Sequence, residues 1–516
     1  SGGTASNYTL TGGTHNFTTN QRPLNATLAR QYDGTSNAAG SDLSSFDALQ
    51  GGETLTLSGS GSAVNDNVAN GISVSSLGTL ALVNGTGLAS NYSLNSAAIN
   101  ITQRVLNSSG SKTYDANTNA LAADITLSNL VSGETLNHSG TASISSANAA
   151  SYTITNLAGI TLADNAGLAS NYTLTGGTHN FTVNPKVISL SGSRLYDATT
   201  DAVASDLTTI SGLVGSETLN LSGTGSVTNA NVASNKTVTL GTLALADNSG
   251  LAANYTLSGG THQLTINQRP LAATVARQYD GTKTAAGSDL SSFDALQGGE
   301  TLTLSGSGTV GDENVANGQG ITLGTLALVD GTGLASNYSL NSASLNITER
   351  VLNSSGSKTY DANTNALAGA ITLSNLVSGE ALNHSGTATI SSANAGSYTI
   401  TNLAGITIAD GSGGTASNYT LTGGTHNFTV NRRVVGVSGT RLYDATTNAV
   451  ASDLSTHTNL VGTETLNLSG TGTIASKNVG SNKTVSVGTL ALADGSNGGL
   501  AANYTLSGGT HQLTVN

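Results

Sequence analysis

Apolar and polar residues alternate along most of this chain with a period of two. Within residues 21–103, Leu24, Ala26, Leu28 and Tyr32 fall on one side of an extended segment. Leu55 and Leu57, Ile72 and Val74, Leu80 and Leu82, Tyr92 and Leu94, and Ile99 and Ile101 repeat the pattern. A half-buried β-strand requires this alternation, because successive side chains point to opposite faces. Clusters rich in Gly, Asn and Ser separate the runs, at 34–40, 51–52, 65–71 and 84–87. These residues accept positive φ or bond their own backbone, so they mark turns. The pattern predicts six or seven short strands in about 82 residues. One helical turn is expected over Ser41–Leu49, where Ser and Asp stand ready to cap it.

The pattern then returns. Tyr-Asp occurs at Tyr32–Asp33, Tyr114–Asp115, Tyr196–Asp197, Tyr279–Asp280, Tyr360–Asp361 and Tyr443–Asp444, at gaps of 82, 82, 83, 81 and 83 residues. Asn-Tyr-Thr/Ser-Leu keeps the same beat, with tyrosines at 8, 92, 172, 255, 338, 419 and 504. A slower repeat lies over it: residues 28–58 recur nearly unchanged from Val275, so the modules run A-B-C-A-B-C. The reading is a tail of a preceding module (1–20), then A1 (21–103), B1 (104–184), C1 (185–267), A2 (268–348), B2 (349–431) and C2 (432–516). Residues 1–20 match 412–431 at all but one position, as expected of an excerpt from a longer array. The expected fold is all-β, a tandem array of six small Ig-like antiparallel β-sandwiches. A parallel β-helix is the alternative, but Tyr-Asp and Glu-Thr-Leu show no quarter-period copies.

The junctions carry the mechanics. HNFTTNQRPLNATLARQYDG has no Gly/Ser spacer between Thr14 and Gly34, and Pro23, Pro185 and Pro270 all lie at junctions. Proline at a strand start stiffens the chain, so the array is expected to form a rod. Strands of about 10–12 residues at ~3.3 Å each give six modules a span of roughly 200 Å.

Composition narrows the functional classes. Cys, Met and Trp are absent and Gly is 65 of 516. Disulfides and thiolate metal sites are therefore excluded. Charged residues are only 9% and the net charge is −12, without the basic stripe that nucleic acid requires. Hydrophobic runs are too short for a transmembrane helix. Hydrophobic content of 37% with regular alternation argues against disorder.

The charged residues keep repeat positions. Arg30, Lys112, Arg194, Arg277, Lys358 and Arg441 each precede a Tyr-Asp tyrosine by two residues, on the same strand face. Glu53, Glu134, Glu217, Glu300, Glu380 and Glu464 each open a Glu-Thr/Ala-Leu strand. The expectation is a cross-strand pair, Arg30 with Glu53 and Arg277 with Glu300, covered by the tyrosine ring. The Asp after each tyrosine is expected to form a turn.

Catalytic chemistry is not visible. His15, His179, His262, His426 and His511 share one Gly-Thr-His position, and His138 and His384 replace Leu57 and Leu304. None has a second histidine at metal spacing. Residues 306–311 match a dinucleotide fingerprint but open no helix. No Ser/His/Asp set stands out from the repeats. No cofactor is expected. Calcium is the alternative, on Asp115-Ala-Asn117-Thr-Asn119 and on the hairpin aspartates Asp164, Asp247, Asp330, Asp410 and Asp494. Asn-x-Ser/Thr acceptors occur at Asn7, Asn16, Asn25, Asn84, Asn91 and Asn100.

Through Tyr-Asp-Gly and Asn-Tyr-Thr-Leu the chain resembles the YDG-type, glycine-rich β repeats of large bacterial adhesins of the filamentous-haemagglutinin-like, two-partner-secretion kind. The resemblance covers all six modules. Only Tyr32–Gly34 and Tyr279–Gly281 have the full Tyr-Asp-Gly, and the other four modules read Tyr-Asp-Ala. It implies export to the bacterial cell surface or beyond, and a stalk or filament serving adhesion or a biofilm matrix. The partners expected are neighbouring copies of the array, with segment 1–20 adding a strand to another chain's module, and host or matrix glycans. A glycan-binding repeat is the second reading and an enzyme the third.

Overall fold

The computed structural model describes residues 2–516, and the fold is all-β with six repeats of one module. The chain divides into two compact units. One holds residues 2–194 and 200–266, the other residues 195–199 and 267–516.

Module A1 has eight strands rather than six or seven. They are β1 (Arg22–Gln31), β2 (Asn37–Ala39), β3 (Leu43–Phe46), β4 (Leu55–Ser58), β5 (Ser60–Ala63), β6 (Ala69–Ser76), β7 (Ala81–Asn84) and β8 (Tyr92–Thr102). The extra strands come from segments of three or four residues, too short to show a period. The helical turn expected at Ser41–Leu49 is a 3-10 turn over Gly40–Asp42 followed directly by β3. Leu43 and Phe46 turn that segment toward β1, so packing overrides its caps.

The sheet order is β2-β5-β6-β8-β1-β3, with β4 and β7 forming a separate pair. Leu28, Ile99 and Ile101 from β1 and β8 pack with Ala38, Leu57 and Ala63 from the other strands and with Leu80 just before β7, forming a sandwich core. Most ladders are antiparallel, but β1 and β8 run parallel, from Arg22 opposite Tyr92 to Gln31 opposite Thr102. Alternation shows which side chains are buried and is silent on strand direction. The first and last strands also lie parallel in A2, B1, B2 and C2.

This pairing explains how one module follows another. A parallel pair starts at one end of the module and finishes at the other. The chain therefore enters beside Asn-Tyr and leaves beside Tyr-Asp. Arg22, Arg104, Lys186, Arg269, Arg350 and Arg433 each lie opposite the Asn-Tyr tyrosine of the same module. At the exit, Tyr32 N–H donates to Thr102 O and Tyr279 N–H to Thr348 O, both at 2.9 Å. One residue, Gln103, separates β8 from the next strand, Arg104–Val105. Hydrophobic cores continue across such joins. Leu106, Leu136 and Tyr172 belong to the same cluster as Leu28 and Ile99. Each of the six modules holds its own last strand, C2 included, where His511–Val515 lies between Gly436–Arg441 and Gly480–Ser486.

Candidate functional site: the tyrosine-glutamate junction

The residues predicted to matter gather at the ends of modules, in partnerships that differ from those expected. Arg30 and Glu53 do not pair, and neither do Arg277 and Glu300. Arg30 pairs with Asp33 and Asp42, and Arg277 pairs with Asp280. Lys112, Lys358 and Arg441 likewise reach Asp115, Asp361 and Asp444. An aspartate three residues away in the same turn forms a shorter loop than a glutamate on another strand. Asp33 also accepts the Thr35 N–H at 3.0 Å and its hydroxyl at 2.9 Å, which closes the turn.

The left-handed residue of this turn is Gly34 (φ 74°) or Gly281 (φ 75°) in the A modules. Ala116, Ala198, Ala362 and Ala445 hold the same backbone at φ 62–64°. The turn is therefore kept where glycine is not. The glycine has a second role, since a Cβ on Gly34 would meet Val131 of the next module at 2.7 Å. The converse occurs at Ala198, which faces Gly298.

The glutamates bind tyrosines instead. Tyr32 donates its hydroxyl to Glu134 Oε1 at 2.5 Å, and Tyr172 donates to Oε2 at 2.6 Å. Tyr114 and Tyr255 share Glu217, Tyr196 and Tyr338 share Glu300, Tyr279 and Tyr419 share Glu380, and Tyr360 and Tyr504 share Glu464. These ten distances span 2.5–2.7 Å. In each hub the Tyr-Asp tyrosine reaches forward to the glutamate and Asn-Tyr tyrosine of the next repeat. The two rings meet edge to face with centroids 5.2–5.5 Å apart. Burial, then the bond to the carboxylate, pushes Tyr32, Tyr114, Tyr172, Tyr338, Tyr360, Tyr419 and Tyr504 up to about 12. The same causes raise Tyr196 and Tyr279 further.

A second clamp flanks the hub, and the sequence reading missed it. Asn171 Oδ1 accepts the Val68 N–H at 3.0 Å while its amide donates to Asn67 Oδ1 at 2.9 Å. Asn254 holds Ala149 and Asn148, Asn418 holds Val315 and Asn314, and Asn503 holds Ala395 and Asn394 in the same way. The available signal was the asparagine kept in every copy of a loop whose neighbours vary: Asn67, Asn148, Asn231, Asn314, Asn394 and Asn478. The hairpin aspartates position the clamp. Asp164, Asp247, Asp330, Asp410 and Asp494 each accept an N–H that opens the 3-10 turn before Asn-Tyr, at 2.7–2.8 Å. A third contact comes from the junction arginines. Arg104, Arg269, Arg350 and Arg433 donate to the carbonyls of Tyr32, Tyr196, Tyr279 and Tyr360.

The remaining candidates have structural partners. The oxygens of Asp115, Asn117 and Asn119 converge on the Lys112 ammonium, at 2.7–2.8 Å, in the loop considered for calcium. Burial opposes ionisation of Asp115, but that ammonium and the Asn117 N–H more than reverse this and hold it below the usual carboxylate range. Among the described residues no three His, Asp or Glu side chains cluster at metal spacing. His179 and His426 lie 2.9 Å from the hydroxyls of Ser108 and Ser354. Their Nε2 atoms bond the carbonyls of Leu174 and Leu421, so the Nδ1 atoms accept from serine. The pair lacks an acid and ties a turn to the first strand. His138 and His384 bond carbonyls near the 3-10 turn that follows Leu121 and Leu367.

Among the described residues no helix is long and apolar enough to cross a membrane. No curated protein matches the chain. One solved structure with some likeness is Drosophila N-cadherin EC1-4, at 7% identity, 80% of this chain, 99% of that chain and a TM-score of 0.11. A score that low carries no argument. The YDG domain pattern, by contrast, matches residues 20–100, 98–180, 178–263, 261–346, 345–426 and 429–511. Nearly the whole chain is thereby accounted for, and the protein belongs to the YDG domain family.

Proposed function

We propose that this array is a structural spacer: the stalk or filament of a bacterial extracellular or cell-surface adhesin, in the manner of filamentous-haemagglutinin-like proteins exported by two-partner secretion. The observation that carries the reading is the junction. The same Tyr-Glu-Tyr hub recurs five times, and the link between successive strands is a single residue such as Gln103. A buried hub and a taut link together oppose swivelling, so repetition converts into reach. The side chains most constant among the repeats are spent on holding modules together, which favours a spacer over an enzyme. Its placement outside the cell, with adhesion or biofilm matrix as the setting and without a cofactor, belongs to the same proposal.

The test is electron microscopy of single molecules together with a glycan array. Particles of uniform length, and no glycan bound by the array, are the expected results. Particles bent at random between repeats would refute stiffness, and saturable binding of a glycan would favour the glycan-binding reading.

A further inference from the structure

The five internal hubs are chemically alike, so they do not tell one module from another. Each joins a Tyr-Asp tyrosine to a glutamate at 2.5–2.7 Å. The turn that carries the glutamate does differ. In each receiving module it is a four-residue β-turn, closed by the glutamate N–H on the carbonyl of Val131, Val214, Gln297, Val377 or Val461 at 2.9–3.1 Å. In B1 and B2 its two central residues are Ser-Gly, with positive φ only at the second, Gly133 (86°) and Gly379 (87°). In C1 and C2 they are Gly-Ser and Gly-Thr, with positive φ only at the first, Gly215 (57°) and Gly462 (53°). In A2 both are glycine, Gly298 (59°) and Gly299 (72°). These are the φ signs of type II, II′ and I′ turns. The residue that follows Tyr-Asp changes in step. It is Gly34 or Gly281 before a B module, Ala116 or Ala362 before a C module, and Ala198 before A2.

We propose that the receiving turn selects the preceding module by the size of this residue. A B face admits the glycine of an A module and rejects alanine, whereas a turn with glycine at its first central position admits alanine. A Cβ on Gly281 would lie 2.9 Å from Val377 Cγ1 and 3.4 Å from Glu380 Oε1, the oxygen that Tyr279 bonds. A Cβ on Gly34 would lie 2.7 Å from Val131 Cγ1. Valine is stiff at χ1, so it does not swing clear easily. The backbone of the Tyr-Asp turn does not itself bar alanine, since Ala116, Ala198 and Ala362 hold it at φ 62–64°. Valine alone is not the obstacle either, because Tyr114 and Tyr360 dock on turns that begin with Val214 and Val461. What differs is the first central residue, serine in the B modules and glycine in the others. At the C1–A2 contact the fit is reversed, and a Cβ on Gly298 would lie 2.9 Å from that of Ala198. Specificity of this kind penalises the wrong neighbour as well as fitting the right one. It bars a B or C module from the face of a B module, and so protects a repetitive chain from docking out of sequence. The inference goes beyond the spacer reading and does not depend on it.

The test uses the full chain and hydrogen exchange read peptide by peptide. Gly281→Ala places a methyl group against Val377. Overpacking should open the A2–B2 junction roughly tenfold more often, seen as faster exchange over Val377–Glu380, while the Tyr360–Glu464 hub keeps its rates. Ser378→Gly with Gly379→Ser gives the B2 turn the Gly-Ser centre of C1. Added to Gly281→Ala, this pair should bring exchange back to within about threefold of the wild type. Gly281→Ala without faster exchange would overturn the proposal. So would a combined variant that exchanges as fast as Gly281→Ala alone, or faster, because strain confined to the Tyr-Asp turn is not relieved by a change in another module. Recovery in the combined variant also shows that the first effect is not misfolding. Failure here leaves the hydroxyl–carboxylate bonds of the hubs, and so the spacer reading, untouched.

Discussion

Replacing Tyr279 with phenylalanine removes one hydroxyl from the Glu380 hub and little else. The ring stays 5.4 Å from that of Tyr419, and Tyr419 still donates to Oε2 at 2.7 Å. What is lost is a 2.6 Å bond to a carboxylate. Hydrogen bonds to charged groups contribute about 1.5–3 kcal/mol, and water reaches part of this half-buried glutamate, so about 1.5 kcal/mol is expected. That corresponds to roughly tenfold more frequent opening of the junction. Repeat arrays unfold as linked neighbours, so a global melt would blur the effect. Hydrogen exchange read peptide by peptide resolves it. Amides around Tyr279 and around Val377–Glu380 should exchange roughly tenfold faster, while those of the Tyr360–Glu464 hub keep their rates. Glu380→Gln should cost a similar amount, because its NH₂ offers one tyrosine a donor in place of an acceptor. The double variant should fall short of the sum by about 1 kcal/mol or more. Unchanged protection in Tyr279→Phe, or strict additivity with Glu380→Gln, would refute the hub as the coupling element.

The other predictions concern the flanking contacts and the protons. Asn418→Ala leaves the Val315 N–H and the Asn314 Oδ1 without their partner at a side chain that is 1% exposed, so local stability should fall by about 2–3 kcal/mol, read by exchange at Val315. Tyr32, Tyr114 and Tyr360 are pushed up from 10.0 to about 12. The folded state holds those protons more tightly than the unfolded one, so their contribution is complete below pH 10 and is lost as pH rises toward about 12. Phenolate absorbance should therefore grow together with loss of the β signal, and ionisation of these phenols near pH 10 with the fold intact would contradict the hub. His457 in C2 has a buried Nε2 without a partner, and burial lowers its pKa from 6.5. The unfolded state binds that proton more readily, so C2 should lose stability as pH falls through and below 6.5. His457→Ile, the residue at the matching position 210 of C1, should abolish that acid sensitivity in a urea titration at two pH values.

Much of the module was legible in the sequence, because alternation reports burial directly. Leu24, Ala26 and Leu28 are 0–2% exposed, as the period-two reading requires. The tyrosines were visible by their beat, and so were the glutamates. Their partnership was not. The partner expected for Glu53 was an opposite charge within the same module, Arg30. The real partners of this glutamate position are neutral phenols, one of which lies about a hundred residues upstream: Tyr32 for Glu134. Repetition hides that relation, since a contact within a module and a contact to the next copy have the same spacing modulo the repeat. Strand direction was hidden for a similar reason: side-chain alternation is identical in parallel and antiparallel ladders.

The parallel pairing of first and last strands has a mechanical consequence. Pull a module by its two termini and β1 is drawn one way while β8 is drawn the other, along their shared axis. The ladder from Arg22–Tyr92 to Gln31–Thr102 is then sheared as a whole. Its hydrogen bonds bear the tension together instead of parting one after another, as they do when a hairpin is peeled from its open end.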